Sequence, residues 1–247
     1  AIESAYRFMC AAWWQRVRQV LADSAPQALS VLDDEPFRRA APRTPRAVMA
    51  FLQSAVPPPE WLHHLHEISC TFRPQLIVNQ TRIKEDEHLA GAMKSAATRW
   101  LGITPEILGA IGWDDNVWLA LRRSKQLLID FTNTRASRDL EQIVRHMLQL
   151  HHREIHSPSS IPPALEAQNL YEILEVYPGA SEEEIRRAFK QIRTWFGQDS
   201  IAVRGVCSEE ERQRFQHLAE EAHALLVDRF RRREYDRTHF QIGRAHV

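Results

Sequence analysis

The stretch RPQLIVNQT, residues 73–81, decides how the first half of this chain reads. Leu76, Ile77 and Val78 form a continuous apolar run after Pro74, the pattern of a strand buried on both faces. Downstream, PEILGAIGW (105–113) repeats that pattern. Between them, KEDEHLAGAMKSAATRWLG (84–102) has an acidic start, apolar Leu89, Met93, Ala96, Ala97 and Trp100 at helical spacing, and Gly102 as a stop. Strand, helix, strand predicts a right-handed βαβ unit with a parallel sheet.

Working outward, DNVWLALRRSKQLLI (115–129) reads as helix. So does SRDLEQIVRHMLQL (137–150), with Leu140, Ile143, Val144, Met147 and Leu148 on one face. Upstream, prolines break residues 24–59 into short helices. One is TPRAVMAFLQSA (44–55), where Thr44 is placed to cap and Pro45 to open the first turn. EWLHHLHEI (60–68) is another. The first residues, AIESAYRFMCAAWWQRVRQVL, are amphipathic, with Ile2, Tyr6, Met9, Trp13, Val17 and Val20 on one face.

Two strands alone leave both sheet edges unpaired. At about 25 cal/mol per Å², several hundred Å² of wet sheet forfeits on the order of 10 kcal/mol, comparable with a domain's whole net stability. Residues 1–150 are therefore expected to be the C-terminal half of a larger α/β domain, and the Trp13–Trp14 pair to pack against the other half. A start inside a helix, without methionine, adds to the expectation of a piece of a longer frame.

Residues 151–168, HHREIHSPSSIPPALEAQ, are polar and proline-bearing, as in a linker. From 169 to about 238 the pattern is helical throughout. Ser181 and Glu184 have capping-box spacing, and Glu182 and Glu183 face the positive helix end. Ile185, Ala188, Phe189 and Ile192 form one buried face, and Leu218, Ala222, Leu225 and Leu226 the opposing one, predicting an antiparallel helical pair closed by Tyr171 and Leu174. QIGRAHV (241–247) resembles a translated adapter read, so residues 239–247 are expected to be an unstructured, non-native tail.

Composition narrows the function classes. Lys plus Arg and Asp plus Glu both number 32, so the balanced charge gives no support for wholesale nucleic-acid binding. Cys10, Cys70 and Cys207 are scattered, as in a reducing cytosol, and form no zinc pair. No apolar run approaches the roughly 20 residues of a membrane span, and no secretory signal is visible. A cytoplasmic location is expected. The helix QIVRHMLQL (142–150) could lie on a membrane surface, but few cations line its polar face. His63, His64 and His66, and His151, His152 and His156, cluster without a cysteine or carboxylate constellation to complete a metal site.

The segments 1–21, 72–82, 99–130 and 137–148, in that order, together resemble the second half of MinD/ParA-type P-loop ATPases, nearest the FlhG/FleN branch. That resemblance implies a partial parallel-sheet P-loop NTPase-type domain. In the family an asparagine ending a strand recognises adenine, and Asn79 stands there; an amide can donate to and accept from an adenine edge at once. Alternatively, Asn79 merely ends the strand. The family's G-x-I-P-x-D turn reads Gly109-Ala110-Ile111-Gly112-Trp113-Asp114, with glycine for proline, so Asp114 either lines the base pocket or caps the next helix. No G-x-x-x-x-G-K-S/T loop occurs. For an intact parent the resemblance implies ATP and magnesium as cofactors, ATPase activity and an ATP-dependent homodimer. The present chain should be inactive alone, with no cofactor of its own.

NLYEILEVYPGASEEEIRR (169–187) and LAEEAHALLVDRFRRREYDR (218–237) resemble the helices of a DnaJ-type J domain, a small all-α module. Where that family has His-Pro-Asp, this chain has Gly197, Gln198 and Asp199, followed by SIAVRGVCSEEER (200–212). The resemblance assigns Arg186, Arg187, Lys190 and Arg193 to the face that docks a partner; a solvated helix face is the alternative. Three functions stay open: a positioning ATPase carrying a J-like module for a protein partner or cargo, a non-enzymatic adaptor, and a DnaJ-type co-chaperone, which the missing His-Pro disfavours.

Overall fold

The computed structural model describes residues 2–40, 43–54, 59–82, 84–153 and 168–240. The chain divides into two compact units, 1–162 and 163–247. Of the tail expected over 239–247, residues 239 and 240 instead end the last helix, because the helical run continues through them; 241–247 and most of the linker, including His156, lie outside the described residues.

Unit 1 opens with α1 (Ile2–Ser24), α2 (Pro26–Asp33), α3 (Glu35–Ala40), α4 (Pro45–Gln53) and α5 (Leu62–Thr71). Thr44 caps α4, accepting the Ala47 amide at 3.2 Å, with Pro45 at the first helical position. Along the apolar face of α1, Tyr6, Met9, Trp13, Val17 and Leu21 are buried, while Ile2 and Val20 are half-buried. Trp13 donates its indole N–H to Ser69 on α5, and Trp14 packs edge-on against Trp13 and Phe37. The expectation that this tryptophan pair serves an absent half-domain is thereby corrected. The pair closes the core of its own unit, because the short helices that follow α1 fold back onto it.

Then come β1 (Gln75–Thr81), α6 (Lys84–Ala96) continuing into a π-type turn at Ala97–Leu101, and β2 (Glu106–Gly112). Gly102 stops that helix in a left-handed conformation, φ 74°, where a side chain would be strained. The strands pair in parallel, with α6 as their crossover. Among the described residues this is the whole sheet, in an otherwise mostly helical α/β arrangement. It is not buried on both faces, as the apolar runs implied. Ile77 is 41% exposed, and within β1 only Leu76 and Thr81 are buried. With two strands, one covering helix layer suffices for part of the surface, and the rest stays wet.

The unit closes with α7 (Asp115–Arg122), α8 (Leu127–Asp130) and α9 (Arg135–Arg153). What reads as one helix over 115–129 is two, split at Ser124, whose φ is 49°. Helix α9 packs on β2 through Ile143, yet Val144, Met147 and Leu148 are exposed, so only part of its apolar stripe is covered. It also runs to Arg153, into the stretch read as linker.

Unit 2 holds α10 (Leu170–Ile173), α11 (Glu182–Trp195), a short 3₁₀ turn at Ile201–Val203, α12 (Glu209–Val227) and α13 (Arg229–Phe240). Capping boxes at Asn169, Ser181 and Ser208 start α10, α11 and α12. Phe189 stacks on His223 while the Phe196 carbonyl meets Arg212 and Gln216, so α11 and α12 run antiparallel. Ile185, Ile192, Phe215, Ala222 and Leu226 fill the seam, with Tyr171 of α10 and Leu174 at its C-terminal cap. Among the described residues no helix is long and apolar enough to cross a membrane.

Candidate functional site

The carboxyl ends of β1 and β2 carry the first candidate site. From Ile77, which faces Gly109, the register runs regularly to Asn79, which faces Ile111, and then Thr81 faces Gly112. Gln80 is therefore an extra residue on β1, a bulge with φ 62°. A left-handed non-glycine residue costs on the order of 1–2 kcal/mol, and bulges re-aim neighbouring side chains. Both Asn79 and Gln80 are exposed, whereas Thr81 is buried. A second irregularity lies in β2, where Leu76 faces Ile107 and Ile77 faces Gly109.

Beyond β2 the chain stays attached to β1: the Trp113 N–H donates to the Thr81 carbonyl at 2.8 Å. Asp114 caps α7, its Oδ1 accepting the Asn116 amide at 2.9 Å and the Asn116 side chain at 2.8 Å. Its Oδ2 accepts the Ala136 amide at the start of α9, 3.0 Å away. These donors, the Ala136 N–H foremost, hold its carboxyl below the usual carboxylate range. Asp139 secures the same end by accepting the Gly112 N–H at 2.8 Å. Asn79 and Asp114 thus share one end of the sheet, with Asp114 engaged in joining two helix starts.

Sequence reasoning missed Arg82 and Trp113, which lie in the same place. The Arg82 guanidinium stands 3.9 Å from the Trp113 ring centroid, and the indole N–H donates to Asp115 at 3.1 Å. The signal lay in the turn at 109–114, since Trp113 is the variable position immediately before Asp114. Next to this end lies an apolar surface, with Trp118 and Leu121 of α7 and Leu128 and Ile129 of α8 all exposed.

Among the described residues no group of three or more His, Cys, Asp or Glu could hold a metal ion. The His63 and His64 rings lie against each other, tilted by 41°, and the side chains of His151 and His152 are not described. Burial pushes the thiols of Cys10 and Cys207 up to about 11 and about 12, so neither is a nucleophile near neutrality.

Unit 2 carries the second candidate surface. Arg186, Arg187, Lys190 and Arg193 are all exposed on α11. Arg186 pairs with Glu182 and Arg187 with Glu183, which offsets part of that positive face. The segment aligned with His-Pro-Asp is tied down. Arg212 and Gln216 donate to the Phe196 carbonyl at 3.1 and 2.6 Å, Ser200 donates to the Trp195 carbonyl, and Ala202 and Val203 are buried. At the far end, Tyr171 donates to Asp236 at 2.6 Å and accepts from Arg232 at 2.9 Å. Burial and the Asp236 bond push the Tyr171 hydroxyl up to about 12.

No protein-family model, no curated protein and no solved structure matches this chain.

Proposed function

We propose that residues 1–150 are the base-binding half of a MinD/ParA-like positioning ATPase, joined to a J-like module that docks a protein partner or cargo. One observation carries it. Two parallel strands end side by side with Asn79 exposed next to a bulge, and in open α/β sheets ligands bind outside the carboxyl ends of the strands. An amide there can pair with the donor and acceptor edge of adenine. The phosphate cradle and magnesium site would come from the other half of the domain, since the chain has no G-x-x-x-x-G-K-S/T loop. The intact parent would cycle between an ATP-bound dimer and a monomer in the cytoplasm, setting the position or number of a cell-pole structure.

Reading the coding DNA ahead of Ala1, then measuring ATP binding and turnover of the completed protein, tests this. A P-loop, with ATP binding weakened by Asn79→Ala, supports the ATPase. A completed protein indifferent to ATP leaves a non-enzymatic adaptor, which the exposed Trp118, Leu121, Leu128 and Ile129 favour as a protein-binding surface.

A further inference from the structure

We propose that the Trp113 indole is the stacking wall of the base site, on which a purine lies flat beside Arg82 while Asn79 addresses its edge. This deepens the base-binding function and rests on it. Three features separate Trp113 from an ordinary surface tryptophan. Its backbone is pinned to Thr81, two residues beyond Asn79, by the 2.8 Å bond to that carbonyl. Its ring edge is pinned to Asp115 at 3.1 Å, and Arg82 lies over the ring at 3.9 Å. Even so held, the residue stays 43% exposed. A planar group fixed by its backbone, one edge and a stacked cation loses little freedom when a ligand settles on it.

The chemistry divides between two residues. Aromatic stacking is tolerant of base identity, because every base presents a π-face. Hydrogen bonding by an amide is not, because adenine and guanine present different donors and acceptors. Trp113 therefore sets affinity for purine nucleosides in general, and Asn79 sets the preference for adenine. Trp118 serves as an internal control. It is also exposed and has Arg122 near its ring, but it lies within α7, beyond the strand ends.

The test is a nuclear magnetic resonance titration of the full chain with adenosine and with guanosine, which need no phosphate cradle. The indole N–H of Trp113 and the side-chain amide of Asn79 should both shift saturably. Trp113→Ala should weaken both nucleosides by the same factor, about 5- to 100-fold. Trp113→Phe should recover most of the loss, Trp118→Ala should change nothing, and Asn79→Ala should narrow the gap between the nucleosides. Contacts between indole protons and adenosine H2 or H8 in the unaltered chain report the stacking directly should Trp113→Ala fail to fold. If the Asn79 amide shifts but Trp113 shows neither a shift nor a contact, the stacking wall is refuted and base binding stands. If neither residue responds, both fall.

Discussion

Asp114 accepts the backbone N–H of Ala136 at 3.0 Å, across 22 residues, while also capping its own helix through Asn116. One carboxylate thus joins the starts of α7 and α9 at the end of β2. Each helix start offers N–H groups with no partner inside the helix, and a negative oxygen suits both.

Replacing Asp114 with alanine should lower the stability of unit 1 by about 1–2 kcal/mol, the usual cost of a lost cap, read from urea unfolding. The pH dependence has a definite sign. The folded carboxyl titrates below its unfolded value of 3.8, so its stabilisation is present above that value and is lost as pH falls through the folded one. Asp114→Asn should flatten this acid limb; an unchanged limb would show that Asp114 does not carry it.

His223 in unit 2 gives a second pH effect, nearer neutrality. Burial against Phe189, and then the charge of Arg186, lower its pKa below 6.5. The unfolded histidine binds a proton first, so stability is complete above about pH 6.5 and declines as pH falls toward the folded value. Resonances from Ile185 and Leu226 during urea titrations at several pH values should report this decline. His223→Phe should remove the decline and keep the stack; persistence of the decline would place the proton elsewhere.

Ser69→Ala should cost unit 1 about 1–3 kcal/mol in urea unfolding. The substitution removes little volume but leaves the buried Trp13 N–H without its acceptor. A loss under about 0.5 kcal/mol would mean that the indole finds another partner.

Restoring His-Pro by the double change Gly197→His and Gln198→Pro should not produce stimulation of a DnaK-type ATPase. The turn is anchored through the Phe196 carbonyl to Arg212 and Gln216, and a Cβ at position 197 would stand 3.1 Å from the Arg193 carbonyl. Stimulation in a coupled ATPase assay would overturn this and revive the co-chaperone function.

Local rules made much of the structure legible. Proline and Thr44 started α4, Ser181 and Glu184 started α11, and two apolar runs flanking a helix gave parallel strands, because each depends on nearby residues alone. Burial was less legible. Continuous apolar runs at Leu76–Val78 and a full stripe on α9 announced coverage that only neighbouring elements can provide, and Ile77, Val144, Met147 and Leu148 lack it. At the site, the identities of Asn79 and Asp114 stood in the sequence. The bond that brings Trp113 to Thr81 depends on register, which no single strand encodes.

The extra residue at Gln80 has a consequence for the direction of side chains. A strand alternates its faces, so residues two apart look the same way, and Ile77 and Asn79 do. Thr81 should follow them outward, yet it is 4% exposed. One inserted residue reverses the parity of the strand at its last step: Asn79 keeps the outward direction it shares with Ile77, and Thr81 turns to the interior. The site is thus encoded partly as a count. Removing Gln80 would make Asn79 and Thr81 successive residues that face opposite ways by plain alternation, so both would keep their sides and only the bulge beside Asn79 would be lost.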